Sequence, residues 1–450
     1  MIDIKDLRAN PQKYIDGARK KQMEMEGSIK TILSLDADAL KLGQELQDIR
    51  TQQNAASKDI AKLKGPEKQA AIDSMGQLKA RAKELGDQAA AVEPQLAALL
   101  MQVPQPPDSD VPEGRDAGDN VVLRHWNSPW FDTSKSFEEN KGFKPKGHIE
   151  LGQALGLVDF ERGVKMAGSR SYVLTGAGMR LHQAVLRFAF DFMVNEQGFT
   201  PVSVPVLVRE EMMVGTGFFP FGKEQAYEVG EKTRGGGYDL YLTGTGEVGL
   251  MGLHAGDILD EATLPRKYIT VSTCFRREAG AAGKDTAGLY RIHQFDKCEQ
   301  VVLCRADEQE SRQWHRTMIG YVEQILQRLE LPYRLLQCCT GDLGPKNADM
   351  IDVETWMPSR GPTAPDSTPQ GEYGETHSAS RLYDYQCRRL DLRYRASADK
   401  KVLPCHSLNN TVVASPRILI PIMELYQNEN GTITVPGVLR PHMGGLERIG

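Results

Sequence analysis

No stretch of the chain approaches the roughly 18 or more continuous apolar residues that a membrane-spanning helix needs. The opening MIDIKDLRANPQKYI carries acids and lacks the apolar core of a signal peptide. A soluble protein of the cytoplasm is therefore the expectation. Zinc-finger spacing is missing as well. The seven cysteines, Cys274, Cys298, Cys304, Cys338, Cys339, Cys387 and Cys405, include no CxxC pair. An odd count without such pairs argues against a disulfide framework or a structural zinc and for reduced, mostly buried thiols. Nor is there a basic excess: Lys plus Arg number 55 against 60 Asp plus Glu, a net charge of -5. That excludes a uniformly basic nucleic-acid binder but not a local basic surface.

What is present is an ordinary globular balance, 40% hydrophobic and 26% charged over 450 residues, enough for two or three domains with a large core. The first part is heptad-patterned. Leu35, Leu42, Ile49, Ala56 and Leu63 fall seven apart, interleaved by Ala39, Leu46, Gln53 and Ile60. Lys64-Gly65-Pro66 should stop the first helix, because Pro66 disfavours helical geometry in Gly65. A second grid runs through Met75, Leu78, Ala82, Leu85, Ala89, Val92, Leu96 and Leu99, with Pro94 expected to kink it. Two such helices around one breaker read as an antiparallel coiled-coil hairpin, projecting roughly 45–50 Å at about 1.5 Å per residue.

Residues 104–120 are rich in Pro, Asp and Gly and read as a linker between an arm at 1–103 and a catalytic domain at 121–450. Leu181, Val185, Phe188 and Phe192 mark one helix face, stopped at Gly198. Val202, Val204, Val206 and Val208 alternate as a half-buried strand, and Pro201 and Pro205 put it at an edge or interface. Further strands are expected at 267–273, 294–303, 352–356, 390–395 and 431–435. This is an α+β pattern, mainly antiparallel, with helices packed on the sheet.

The chemistry-bearing segment runs from Cys274 to Glu299. A strand ends in FRRE (275–278), a Gly-rich loop turns, and a second strand begins at RIHQF (291–295). Arg276 and Arg291 suit bidentate recognition of carboxylate or phosphate. Phe295 offers an aromatic face, and Glu278 and Glu299 can accept from amino groups. Taken alone, the same residues equally describe a surface hairpin with solvated charges.

The full pattern, FRRE followed by AGxxGxDTxGLxRxHQFxKxE, resembles motif 2 of class II aminoacyl-tRNA synthetases in its seryl-tRNA synthetase form. The likeness extends along the chain. The heptad hairpin is similar to that family's tRNA-binding arm. GSRSYVLTGAG with the following helix and VSVPVLV resemble the dimer-forming motif 1. MVGTG (213–217) and LTGTGEVGL (242–250) resemble the serine-site segments. TGDLG (340–344), DVETW (352–356) and DYQCRRLDLRYR (384–395) are family-like, and HSLNNTVVASPR (406–417) with VPGVLRPHMGG (435–445) resembles motif 3. Two places depart from the usual bacterial form: NTVVASPR stands for GSGLAVGR, and Gly374 precedes Glu375 where an arginine is usual.

The resemblance implies a class II antiparallel sheet flanked by helices. It also implies ATP-dependent activation of L-serine to seryl-adenylate and transfer to tRNA-Ser, and to tRNA-Sec where a cell has it, by a homodimer. It implies that Arg276 and Arg417 are catalytic. Serine would be bound by Thr245, Gly246, Glu247, Arg276, Glu299, Asn409 and Thr411. ATP would be bound by Arg276, Arg277, Glu278, Arg291, Phe295, Glu375, Thr376, His377, Ser378 and Arg417, with Phe295 and Arg417 on the two faces of the adenine. Mg2+ would sit on the oxygens of Glu375 and Ser378. On the arm, Arg50, Lys58, Lys62, Lys79, Arg81 and Lys83 would meet the tRNA backbone, with Lys64 and Lys68 nearby.

Overall fold

The structure, a computed structural model, describes residues 1–230, 240–280, 283, 285–365 and 367–450. Ala281, Ala282 and Lys284 of the Gly-rich loop, and Asp366 further on, lie outside the described residues. The chain divides into two compact units, Met1–Pro106 and Pro107–Gly450.

In the first unit, short helices α1 (Ile4–Ala9) and α2 (Pro11–Lys20) precede two long ones, α3 (Glu26–Ile60) and α4 (Pro66–Leu100). The heptad positions are the shielded ones. Leu42, Leu46 and Ile49 on α3, and Leu78, Ala82 and Leu85 on α4, are less exposed than the lysines and glutamines between them. Arg81 of α4 meets Glu45 of α3 at 3.3 Å, two positions at matching distance from the turn, as an antiparallel hairpin requires. The turn differs in detail from the expectation. α3 ends at Ile60, before the Gly-Pro pair, and Pro66 opens α4 instead of blocking α3. At a helix's first position proline loses no hydrogen bond, and Gly65 supplies the positive φ of 64° that the reversal needs. α4 continues through Pro94. Leu7, Tyr14, Ala18, Ile29 and Ile32 form a small core in this unit, and the partly exposed Arg8 grips the buried Asp36 at 2.7 Å.

The second unit is built on an eight-stranded sheet. Its strands in chain order are β1 (Val121–Trp126), β2 (Thr200–Pro201), β3 (Arg266–Phe275), β4 (Gln294–Cys304), β5 (Tyr333–Gln337), β6 (Asp349–Met357), β7 (Glu372–Tyr383) and β8 (His406–Ser415). Across the sheet they run β1-β5-β6-β7-β8-β4-β3-β2. Every pairing is antiparallel except the short edge strand β2, which lies parallel to β3. β4 is central and covered on both faces, which explains its unbroken run QVVLC.

Two long helices pack on the sheet. α5 (Gly176–Asn195) buries Leu181, Val185, Phe188 and Phe192, the face read from sequence, though it starts a turn earlier. α6 (Glu308–Arg328) buries Met318, Val322 and Ile325 at helical spacing, and Asp307 caps it by accepting the Glu310 N–H at 2.7 Å. Each fully buried side chain of this size contributes about 1.5–3 kcal/mol.

Three strand expectations need correction. Residues 202–206 keep the alternating burial but make no ladder; only β2 and a short strand Leu207–Arg209 flank them. Pro201 and Pro205 have no N–H to give a neighbouring strand. Only Arg393–Arg395 of 390–395 is strand, after a helical turn Tyr385–Arg389, and only Ile433–Thr434 of 431–435. The Pro-rich stretch after Pro107 is held to its unit by Asp108, whose carboxylate takes Arg381 and the Tyr383 hydroxyl. All seven cysteines are buried and unbridged. Among the described residues no helix is long and apolar enough to cross a membrane.

Candidate active site

β3 and β4 form the hairpin seen in the sequence, with Phe275 opposite Gln294 and Thr270 opposite Glu299. On its far side β4 pairs with β8, setting Glu299 opposite Thr411. Side chains from the β3–β4 connection and from β4, β7 and β8 line an open cleft holding about 480 Å³ of empty space. Its lining includes Arg276, Glu278, Phe295, Glu375, Thr376, Thr411 and Arg417, seven residues singled out from the sequence. Tyr290 and Lys297, which were not, line it too. A neighbouring hollow shares Arg276 and Glu278 and adds Arg291.

The arginines are held rather than loose. Arg276 donates from Nε to the Gly244 carbonyl at 3.3 Å, and its guanidinium lies 5.2 Å from the Phe295 ring centre. Arg291 is paired with Glu278 at 2.6 Å, so Glu278 already has a partner. Arg417 donates to the Tyr290 carbonyl and the Glu375 carbonyl, both at 3.1 Å, and lies 4.4 Å over the Tyr290 ring. The cation over Phe295 is thus Arg276, while Arg417 rests on Tyr290. Arg277 is exposed and outside the cleft lining; its backbone N–H bonds to the Gln225 carbonyl.

At one end of the cleft the charges are buried and matched. Lys297 reaches Glu299 at 2.5 Å and donates to the Thr245 hydroxyl at 2.8 Å. Glu247, 3% exposed, opens a short helix and accepts Lys346 on both oxygens at 2.8 and 2.9 Å, plus Gln386 at 2.6 Å. Burial pushes the Glu299 carboxyl up, against the pull of Lys297. Burial likewise pushes the Lys346 ammonium down, with Glu247 opposing. Gly246 fits tightly: a Cβ there would lie 2.5 Å from the Thr270 methyl carbon. Asn409 is buried on β8, opposite Val301 and Ser380.

Glu375 and Ser378 are three apart on β7, a spacing that in a regular strand points to opposite faces. The register with β6 slips between Val353 and Glu354, leaving Thr376 as an extra residue. That bulge turns Thr376 and His377 both inward and leaves Glu375 and Ser378 on the outer side. Opposite Ser378 lies Asp352, whose Oδ1 is shielded and has no hydrogen-bond partner. Burial and the nearby Glu375 charge push the Asp352 carboxyl up. Asp352 also clusters with Asp342 and the Cys338 sulfur. Hard oxygens with an orphaned carboxylate oxygen fit Mg2+. His377 is a correction: it neither lines the cleft nor faces solvent. It is buried against Thr376 at 2.8 Å, and burial drives it from 6.5 down to about 3, so it stays neutral.

One relay was not visible in the sequence. His182 of α5 bonds the Ser415 hydroxyl at 2.8 Å and Asp296 at 3.0 Å, and Asp296 accepts from Thr273 at 2.7 Å. It joins the helix to the strand ends that carry Phe295 and Arg417. In the separate first unit, Arg50, Lys58, Lys62, Lys79, Arg81 and Lys83 are all exposed on the hairpin. Lys62 pairs with Asp59 at 3.7 Å, and Arg81 with Glu84 at 2.8 Å.

Comparison with known proteins matches this architecture. Residues 1–107 fit the seryl-tRNA synthetase N-terminal domain, and residues 227–426 the class II tRNA synthetase core domain of the G, H, P, S and T type. The serine–tRNA ligase of Deinococcus radiodurans is 41% identical, covering 100% of this chain and 99% of that protein. That of Thermomicrobium roseum is also 41% identical, over 100% and 95%. The crystal structure of Pyrococcus horikoshii seryl-tRNA synthetase with ATP superposes with a TM-score of 0.87 at 36% identity, over 100% and 99% of the two chains. With relatives of this identity along its whole length, the chain belongs to the seryl-tRNA synthetase family of class II aminoacyl-tRNA synthetases.

Proposed function

We propose that this chain is a serine–tRNA ligase that activates L-serine with ATP and charges tRNA-Ser. The observation that carries the proposal is the joining of two chemistries in one cleft. Thr411 lines one end with Lys297, and Thr245, Glu247 and Glu299 lie buried behind it, groups that suit an ammonium and a small hydroxyl. The other holds Arg276, Arg417 and Phe295, groups that suit phosphates and a base.

In the first step the serine carboxylate attacks the α-phosphorus of ATP and pyrophosphate leaves. In the second, a hydroxyl of the terminal adenosine attacks the acyl carbon and AMP leaves. Both steps depend mainly on holding charged groups in line. Arg276 bridges carboxylate and α-phosphate, and Arg417 and Arg291 neutralise the remaining phosphates. Phe295 stacks the adenine once Arg276 turns from its face to the phosphate, with Arg417 on the other side. Glu278 meets the adenine amino group. Buried polar partners for the serine hydroxyl reject alanine, because they are stranded when it is absent.

Glu375 and Ser378 hold Mg2+, which when bound offsets phosphate charge. The heptad hairpin carries the backbone of tRNA-Ser on its exposed lysines and arginines, by charge and shape. The working form is a homodimer. Arg276→Ala is the direct test. A loss of serine-dependent pyrophosphate exchange of about 10²–10³ in a folded protein is expected, the scale for removing one transition-state donor. Near-normal exchange would remove Arg276 from its role.

A further inference from the structure

Glu247 is assigned above to the substrate ammonium, yet a primary ammonium already occupies it. Lys346 Nζ sits 2.8 and 2.9 Å from its two oxygens and 4.0 Å from the centre of the Phe218 ring. Carboxylate on one side and aromatic face on the other make a built ammonium cradle. Its other polar neighbour, Gln386, is anchored in turn by Ser407 at 3.0 Å. The cradle lies beyond the open cleft: Lys297 and Thr411 line that cleft, whereas Glu247, Glu299 and Lys346 do not. Lys346 stands on the connection between β5 and β6, outside either strand, so its Nζ is carried by turn backbone and a flexible four-carbon stem.

We infer that Lys346 is a built-in competitor of the substrate: its ammonium stands in for the α-ammonium of serine and must leave Glu247 before serine binds. This rests on the reading of Glu247 given above. A site that is open only part of the time binds its ligand more weakly by that fraction. Lys346 therefore raises the serine KM without acting on the chemical step. It also shields the Glu247 carboxylate when no substrate is present, since a buried charge without a partner is costly.

The test uses the full-length enzyme and steady-state pyrophosphate exchange. Lys346→Met is expected to lower the serine KM by about tenfold, the effect of a site closed nine times in ten, with kcat and the KM for ATP unchanged. Lys346→Arg keeps a cation on Glu247 and should retain the parental serine KM. Serine should also raise the melting temperature of Lys346→Met more than that of the parent. Should Lys346→Met fail to fold, Lys346→Gln, neutral and still a donor, is read the same way. An unchanged or higher serine KM in the neutral variant overturns the inference. Glu247→Gln separates the two readings. If it leaves the serine KM intact, Glu247 is not the ammonium site and the assignment above fails. If it raises the KM while Lys346→Met does not lower it, only the competition fails.

Discussion

At the scale of single residues, His377 links burial to pH. Its imidazole is 1% exposed, and burial holds it at about 3 against 6.5. The unfolded chain takes up a proton there below pH 6.5, whereas the folded chain does not until about pH 3. The contribution of this group is therefore fully present above pH 6.5 and is lost as pH falls toward 3. At pH 5 it amounts to about 2 kcal/mol lost relative to pH 7. Urea unfolding at pH 7 and 5 should show a smaller pH difference for His377→Gln than for the parent; an equal difference would contradict the assignment. The resemblance implied ATP for this histidine, because nothing local reveals that a bulge turns it inward. Thr245, Glu247 and Glu299 were legible as parts of long motifs. Lys346 and Tyr290 were not, since the partner of a lysine or tyrosine is chosen by the tertiary fold. Lys297 stood inside the HQFxKxE pattern, but its pairing with Glu299 two positions on depended on an i, i+2 pair sharing one strand face.

At the scale of elements, periodicity carried the α5 face and the two heptad helices, because burial follows the helical repeat directly. It carried residues 202–206 only halfway: side chains alternate, but a ladder also needs donors, which two prolines remove. The pairing of Glu375 with Ser378 was implied by the resemblance, whereas the bulge that sets both on one side of the strand came only from the register with β6. The hairpin α3–α4 gives an element-scale prediction. Its heptad core makes it a self-contained antiparallel pair, so replacing residues 35–99 by a short turn should leave serine activation within about twofold while tRNA charging falls by at least about 10³, the loss expected when several phosphate contacts go. Parallel assays of exchange and aminoacylation decide this. Equal loss of both steps would refute the division of labour.

At the scale of the whole molecule, α5 and the β2–β3 edge share a surface hollow lined by Leu186, Phe190, Val202 and Val271, with Val271 41% exposed. An apolar face of this kind on the helix and strand that resemble motif 1 supports a two-fold dimer. Sedimentation at micromolar concentration should give the mass of two chains, and a persistent monomer would contradict it. On the proposed function, one cleft in this unit binds ATP beside an amino-acid pocket selective for serine. Exchange of labelled pyrophosphate into ATP, with serine, alanine, threonine, glycine and cysteine compared side by side in the presence of Mg2+, tests it most directly. Exchange should depend on serine and be weak or absent with the other four. Exchange with none of them from folded protein, or preferential exchange with another, would contradict it.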